Sequence, residues 1–361
     1  MFNHLPRPHA LPLTRRAALG LLGTAVPLLG LPARPRAATA ATPLTDAVIA
    51  AARKEGTVVF HTSIEVSVCE QIIAGFNKRY PDIKVQLERT GAERILQRIN
   101  QEYSSGIHAA DVVESSDTGM FLDWKKKGWL ATIVPPEVIE FWPEAERDPD
   151  GKFASMRASL SVIAYNTKQV KPEDAPKGYA DLLHPRWRMR MVKAHPSYSG
   201  SILTSTFLTA RAMGWDYMEK LGKQRVMQVQ SATEPPKKVG QGERSVEVDG
   251  SEYVVLNMQD AGIPIAPVYS VEGTPVFTGP ACLMEKAAHP NAGRVFYDYL
   301  FSLDCQQRMA DPGNLRSFHK GVKVKAGHTP LSDIKLLSAT PEDLVAHAED
   351  TKRKYLAAFG V

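Results

Sequence analysis

The stretch Thr57-Val58-Val59-Phe60-His61-Thr62-Ser63 joins a continuous apolar run to two hydroxyl residues. An unbroken apolar run of this length is typical of a strand that is buried on both faces of a sheet. Val68, Ile72 and Phe76 follow at four-residue spacing, which predicts a helix that ends before Pro81. The segment therefore predicts one strand–helix unit of an α/β fold.

The same order of elements repeats along the chain. Alternating residues 83–87 predict a second strand, and Asp111-Val112-Val113 predicts a third, each followed by a helical pattern. The pattern breaks near 148–151, and a second region opens with an apolar strand at 160–165. Repeated strand–helix units predict two α/β regions, with a mainly parallel sheet in the first.

The N-terminus has the pattern of an export signal. Arg15 and Arg16 precede an apolar run at 17–31, and small residues surround Ala40. The run has 15 residues, whereas a helix that spans a bilayer needs about 20. We therefore predict a signal peptide at 1–41, cleaved near Ala40 or Ala41, and the arginine pair partly matches a twin-arginine signal.

Charge and cysteine content exclude two classes of protein. The predicted signal peptide holds five arginines and no acidic residue, which accounts for the whole formal charge of +5. The mature chain is near neutral, so we predict no nucleic-acid partner, because such a partner requires a basic patch. Cys69, Cys282 and Cys305 are too few for a disulfide scaffold, and their spacing leaves any pairing open.

Hydroxyl and acidic residues follow three predicted strands, directly before helices. Ligands bind beyond the carboxyl ends of strands in open α/β sheets, and helix N-termini hold anions. The alternative is that these side chains only cap helices, as Ser, Thr and Asp commonly do. The predicted ligand-binding residues of this group are Thr62, Ser63, Glu65, Ser115, Ser116, Asp117, Ser197, Ser199, Gly200 and Ser201.

Four tyrosines form a second candidate group: Tyr165, Tyr198, Tyr253 and Tyr269. A phenol can donate to an anion, stack on a flat ligand or, when deprotonated, bind ferric ion. The alternative is an interior tyrosine whose hydroxyl is already hydrogen-bonded. Arg157 is a candidate clamp for a carboxylate or phosphate, or else a surface residue.

Catalytic and cofactor motifs are missing from the sequence. It contains no H-E-x-x-H, no G-x-S-x-G and no G-x-x-x-x-G-K-[ST], and its histidines lack metal-ligand spacing. We predict no catalytic residue, no enzyme activity and no cofactor. An enzyme on this scaffold would have to use Cys69 or Ser199 as nucleophile, and no nearby base is evident.

Several segments in order resemble solute-binding proteins of bacterial ABC importers. They include Val162-Ile163-Ala164-Tyr165-Asn166-Thr167, His195-Pro196-Ser197-Tyr198-Ser199-Gly200 and Ala288-His289-Pro290-Asn291-Ala292. The chain resembles the ferric-iron-type group of solute-binding family 1 from about Leu44 to its end. The resemblance implies a monomeric periplasmic protein that captures a small solute and delivers it to a membrane permease. The same fold can also serve a sensor, and the sequence leaves that use open.

The resemblance also implies a two-lobe type II periplasmic binding fold that closes by a hinge. Lobe 1 is expected at 42–156 plus 272–361 and lobe 2 at 157–271, with crossing strands near 157–165 and 265–274. The ligand is expected in the cleft between the lobes.

The ligand itself is open between two classes. Ferric-binding relatives usually present two adjacent tyrosines, whereas this chain has Ser251-Glu252-Tyr253-Val254 at the matching place. A ferric ion is therefore the alternative ligand, held by Glu65, Tyr198 and Tyr253. The serine-rich loops favour a small organic anion or oxyanion instead.

Overall fold

The computed structural model of the chain describes residues 39–361. Nearly all of the predicted signal peptide, including its apolar run, lies outside the described residues. Within 39–361, the helices are all too short or too polar to cross a bilayer.

The order of helices and strands follows the predicted α/β pattern. The helices are α1 (Asp46–Glu55), α2 (Val66–Arg79), α3 (Ala92–Ser104), α4 (Thr118–Lys126), α5 (Pro136–Phe141), α6 (Gly200–Met213), α7 (Trp215–Gly222), α8 (Glu234–Gly240), α9 (Glu252–Asp260), α10 (Pro290–Leu300), α11 (Leu303–Ala310) and α12 (Pro341–Phe359). The strands are β1 (Thr57–Thr62), β2 (Lys84–Arg89), β3 (Val112–Glu114), β4 (Ala154–Asn166), β5 (Met191–Ala194), β6 (Met227–Val229), β7 (Val246–Ser251), β8 (Ile265–Val268), β9 (Thr274–Leu283) and β10 (Leu336–Leu337).

The strands form a mixed sheet in the order β2-β1-β3-β9-β4-β7-β5-β6. β1 is parallel to β2 and β3, as the repeated strand–helix units predict, and β5 is parallel to β6 and β7. β9 runs antiparallel to β3 and β4 and completes the first region. The chain therefore has the two-lobe type II fold, in which two parallel groups are joined through antiparallel strands.

The long strand β4 belongs to both groups. Its first half pairs with β9, and its second half, from Ser161 to Asn166, pairs with β7 and β8. The return from β8 to β9 passes through residues 269–273. The predicted crossing strands near 157–165 and 265–274 fall on β4 and on the segment from β8 to β9, and both the crossing and the lobe boundaries stay a prediction.

Separate apolar clusters stabilise the two groups. Around β1, the rings of Phe60 and Phe76 each pack edge-on against Phe296, with centroids 5.0 Å apart. Around β7, Tyr165 and Trp187 are buried in another cluster. Edge-to-face ring pairs are favourable beyond the area they bury, so these contacts fix how α2 and α10 pack on β1.

The tail helix α12 starts and ends as the sequence predicts. The Thr340 hydroxyl caps it by accepting the Asp343 N–H at 3.2 Å, and Gly360 ends it in a left-handed conformation. The Tyr355 ring lies 5.1 Å from His195, and Phe359 packs on the cluster around Tyr165. Helix α12 packs on α6 and α7 and also on α4, and its predicted place in lobe 1 stays a prediction.

Candidate functional site

The carboxyl ends of β1 and β3 meet, because these strands are parallel neighbours. The Thr62 hydroxyl donates to Glu114 at 2.6 Å, and the Ser63 N–H donates to the same carboxylate oxygen at 3.1 Å. Ser63 Oγ also accepts the Ser116 N–H at 3.2 Å. The polar residues at the end of β1 and those at the end of β3 therefore form one hydrogen-bond network around the buried Glu114 carboxylate.

Arg157 on β4 completes this network with an ion pair. Its Nε and Nη2 lie 2.9 and 2.8 Å from Glu114 Oε1, and Nη2 also donates to Ser63 Oγ at 3.3 Å. Arg157 is 2% exposed and Glu114 is fully buried. Gly279 makes room for the pair, since a Cβ there would lie 2.5 Å from Glu114 Oε1.

One nitrogen of the Arg157 guanidinium takes no part in this network. Nη1 is buried and has no hydrogen-bond partner among the described residues. Leaving a buried donor of a charged group unsatisfied is costly, so such a group indicates a missing acceptor. Nη1 has almost no accessible surface, so an acceptor would reach it only if neighbouring side chains moved.

Arg157 lines a cavity of about 190 Å³, which we call the Arg157 cavity. This is smaller than the roughly 300–1,000 Å³ that is usual for sites of drug-sized ligands. Most of the residues that line it are polar or charged, and the ring of Phe277 lies 5.9 Å from the Arg157 guanidinium carbon. The hydroxyl residues that line it are Ser63, Thr90, Ser116, Tyr198, Ser199, Ser201, Ser231, Thr233, Ser251 and Tyr253.

Four helices, α3, α6, α8 and α9, begin at residues that line this cavity. Gly91 precedes α3 and offers no side-chain cap, and Ser199 precedes α6. Each N-terminus carries unpaired N–H groups and the positive end of the helix dipole, so both favour an anion. A Cβ on Gly91 would lie 3.2 Å from the Tyr198 carbonyl oxygen, so this glycine allows the two helix starts to approach.

The rim of the cavity carries charges of both signs. Arg89 bridges the two sides, donating weakly to Ser231 and Thr233 at 3.4 Å and lying 3.8 Å from Glu65. Glu65 also pairs with Lys237 at 2.8 Å. Glu65, predicted as a ligand residue, does not line the cavity and instead pairs with Arg89 and Lys237.

The predicted tyrosines take different positions. Tyr253 and the half-exposed Tyr198 line the cavity, and the Tyr253 hydroxyl accepts the Glu65 N–H at 3.1 Å. Burial raises the pKa of Tyr253 to about 12. Tyr165 lies in the apolar cluster around Trp187, and Tyr269 donates to Glu252 at 2.7 Å, so neither lines the cavity.

The Ser197–Ser201 loop is divided between the cavity and structural contacts. Ser199 and Ser201 line the cavity with their hydroxyls 3.0 Å apart. Ser197 does not line the cavity, and its backbone N–H donates to His195 Nδ1 at 3.1 Å. Gly200 packs on backbone, since a Cβ would lie 2.8 Å from the Ser116 carbonyl oxygen.

Three of the predicted ligand-binding residues make hydrogen bonds within the protein and do not line the cavity. Thr62 is held by Glu114, and Ser115 Oγ accepts the Asp117 N–H at 3.4 Å. Asp117 caps α4 by accepting the Gly119 N–H at 2.9 Å, and burial raises its pKa above the ordinary value. These contacts match the capping alternative for Ser115 and Asp117.

Sequence reasoning missed much of the cavity wall. Arg89 ends β2, Gly91 directly precedes α3 and Arg94 lies in its first turn, so the same rule applies to this strand end. The role of Glu114 could not be predicted from the sequence, because it depends on the contact with Arg157, 43 residues away. Ser231 and Thr233 sit in a loop without a strong strand signal before it.

A second cavity of about 660 Å³ shares Ser116 and Phe277 with the first. Phe153, Phe318 and Leu122 make its walls more apolar. Among the described residues that line it, none has a buried side-chain nitrogen or oxygen without a partner. The unsatisfied guanidinium therefore distinguishes the Arg157 cavity.

Cysteines and metal-binding groups were also located. Cys69, Cys282 and Cys305 are buried free thiols in the structure. Burial raises the pKa of Cys69 to about 12, so this thiol is a poor nucleophile. Over residues 39–361, no three His, Cys, Asp or Glu side chains converge as a metal cluster.

Comparison with known proteins gives a family match. Residues 108–329, more than half of the chain, match the family model described as bacterial extracellular solute-binding protein. Iron uptake protein A1 of Synechocystis sp. is 32% identical over 126 residues. That match covers 34% of this chain and 34% of the relative.

Solved structures show the same fold at low sequence identity. The periplasmic binding protein AfuA from Actinobacillus pleuropneumoniae, with exogenous fructose-6-phosphate bound, is 20% identical with a TM-score of 0.76. It covers 85% of this chain and 99% of that one. Iron-bound HitA from Pseudomonas aeruginosa is 19% identical with a TM-score of 0.69, over 83% and 99% of the chains.

Proposed function

Because the chain belongs to the family of bacterial extracellular solute-binding proteins, we propose that it is the solute-capturing component of an ABC importer. Its ligand is a small organic anion or oxyanion held in the Arg157 cavity. The observation that carries this proposal is that Arg157, whose buried Nη1 lacks a hydrogen-bond partner, lines a cavity together with hydroxyl side chains and helix N-termini.

The proposal includes export and lobe closure. The signal peptide at 1–41 is removed, and the mature protein works as a monomer in the periplasm, where it meets the permease. Lobe 1 (42–156 plus 272–361) and lobe 2 (157–271) close on the ligand by bending near 157–165 and 265–274. A ligand drives this closure only by binding the closed form better than the open form.

A binding screen tests the proposal on protein that starts at residue 42. A ligand at a hundredfold excess over its Kd raises the free energy of unfolding by about 2.7 kcal/mol, which a melting assay detects. We expect stabilisation by a small hydroxy acid, phosphonate or phosphate ester. Absence of stabilisation by every small anion and by ferric salts would remove the proposal.

Ferric ion is the second candidate, because one relative is named an iron uptake protein. The ion would be held by Glu65, Tyr198 and Tyr253. The raised pKa of Tyr253 and the cations that occupy Glu65 both oppose this arrangement. A visible charge-transfer band on adding ferric citrate would decide for iron.

Catalysis is not part of the proposal, since the family is one of binding proteins. Cys69 is buried, and Ser199 is engaged with Ser201 and the start of α6. Turnover of a bound ligand that disappears in Ser199→Ala, with binding intact, would reverse this conclusion.

A further inference from the structure

The second cavity, of about 660 Å³, adjoins the Arg157 cavity, and we call it the Phe153 cavity. Ser116 and Phe277 line both cavities, so the two meet at these side chains. On α6, Ser201 lines the Arg157 cavity, and Thr204, about one turn further along the helix, lines the Phe153 cavity. A molecule that is longer than the first cavity therefore extends along α6 into the second.

The sizes of the two cavities are complementary. Sites for drug-sized ligands measure roughly 300–1,000 Å³, and the Arg157 cavity, at about 190 Å³, is below that range. The Phe153 cavity, at about 660 Å³, is within it. An apolar cavity of roughly 150 Å³ is already large enough to bind benzene. The Phe153 cavity therefore has room for a ring or a branched chain that is attached to a group in the Arg157 cavity.

The wall of the Phe153 cavity is rich in aromatic and branched side chains, and most of its accessible surface is carbon. The residues that supply this surface are Leu122, Phe153, Val276, Phe277 and Phe318. Ligand sites usually combine such apolar walls with a small number of polar groups that fix the orientation of the ligand. Here the polar groups are concentrated in the first cavity and the apolar wall in the second, so the two suit different parts of one molecule.

Charged side chains at the Phe153 cavity are engaged within the protein. Lys125 forms an ion pair with Asp148, and Arg147 donates to two backbone carbonyl oxygens at 3.3 Å each. Glu146 is hydrogen-bonded to a serine hydroxyl, and Glu342 is exposed at the start of α12. A charged ligand group would compete with these contacts, whereas an apolar group leaves them intact.

Resting on the proposed solute-binding function, we infer that the ligand is amphipathic. Its anionic head lies in the Arg157 cavity, and an aromatic ring or a branched aliphatic group lies in the Phe153 cavity. Arg94 supports this place for the head, because it lines the Arg157 cavity and its hydrogen bond of 3.1 Å goes to the neutral amide of Gln230. Burial of the apolar group supplies the part of the affinity that depends on the tail.

Pairs of anions that share a head group and differ by one aromatic ring test this inference. Lactate is compared with 3-phenyllactate, methyl phosphate with phenyl phosphate, and methylphosphonate with phenylphosphonate. The protein that starts at residue 42 is titrated with all six by calorimetry. Because transfer of a ring from water to an apolar site is favourable, we expect the aromatic member of at least one pair to bind about tenfold or more tightly than its partner.

Two variants that fill the Phe153 cavity test where the ring binds. Thr204→Phe places a ring in the cavity from α6, and Ala339→Phe does so from the loop before α12. In both, we expect the advantage of the aromatic member to fall below about threefold while its small partner still binds. Ala346→Phe adds the same side chain at an exposed position of α12 and serves as the matched control. Melting temperatures show whether each variant folds.

The possible results separate this inference from the proposed function. Aromatic members that bind no more tightly than their partners overturn the inference while the solute-binding function stands, and so does a natively purified ligand without an apolar group. An advantage that persists in Ala339→Phe, or a loss of the small partner together with the ring, also overturns it. If no small anion and no ferric salt stabilises the protein, the proposed function fails and this inference falls with it.

Discussion

Replacing Arg157 with glutamine should lower both stability and ligand affinity. The guanidinium holds Glu114 through two contacts of 2.9 and 2.8 Å, with both side chains almost fully buried. Removing one partner of such a pair leaves an unpaired buried charge and costs about 3–5 kcal/mol. Against a total stability of about 5–15 kcal/mol, the variant should still fold.

The double variant Arg157→Gln with Glu114→Gln separates the unpaired charge from the loss of packing. Because both charges are gone, it should be more stable than the single variant by at least about 1 kcal/mol. Urea unfolding followed by circular dichroism measures all three proteins. Arg94→Gln makes the same substitution at an exposed position and should change stability by no more than about 0.5 kcal/mol.

Ligand affinity gives the second measurement. A hydrogen bond from a charged donor is worth about 1.5–3 kcal/mol, so Arg157→Gln should weaken binding by roughly 10- to 150-fold. Calorimetry with the ligand from the screen measures this loss. If Arg157→Gln costs less than about 1 kcal/mol in stability and leaves affinity unchanged, the role assigned to Nη1 is wrong.

Three further predictions concern other parts of the molecule. Gly200→Ala places a Cβ 2.8 Å from the Ser116 carbonyl oxygen, so the two segments must move apart. We expect ligand binding about tenfold or more weaker, and a larger radius of gyration by X-ray scattering of the protein with ligand. An unchanged affinity and an unchanged radius would contradict the close packing. Burial raises the pKa of Glu247 well above 4.5, so the stability of the protein falls as pH rises from 4.5 toward the folded pKa. Glu247→Gln should therefore match the parent below pH 4 and exceed its stability at pH 7, and parallel unfolding curves across this range would refute the assignment. Tyr253→Phe removes the acceptor of the Glu65 N–H and should cost about 0.5–1.5 kcal/mol of stability in urea unfolding. If ferric ion is the ligand, this substitution should also abolish the visible charge-transfer band. A retained band would show that Tyr253 does not coordinate the iron.

Local patterns were enough to predict most elements. The apolar run at 57–61 became β1, and the Thr340 and Gly360 signals fixed both ends of α12. These features depend on residues within a few positions of one another, so a sequence displays them directly. The place of α12 against Tyr165 and His195 depends on distant surfaces, and the sequence does not contain that information in readable form.

In the candidate site, too, some contacts could be predicted from the sequence and others could not. Ser63 and Ser116 could be predicted to meet because parallel strand ends converge, and they do meet. The Arg157–Glu114 pair could not, because nothing in either local sequence identifies the other as its partner. Arg89 is the last residue of β2 and Gly91 directly precedes α3, so a fuller use of the same rule would have found them.

The position of Arg157 on β4 has a mechanical consequence. The pairing of β4 with β9 changes register between Ser155 and Arg157, in the half of the strand that precedes the crossing to β7 and β8. An irregular ladder is the softest point of a long strand, because fewer backbone hydrogen bonds resist its flexing. Under the proposed function, we therefore expect that a solute bound at the guanidinium also stiffens the segment of β4 at which the lobes are proposed to bend.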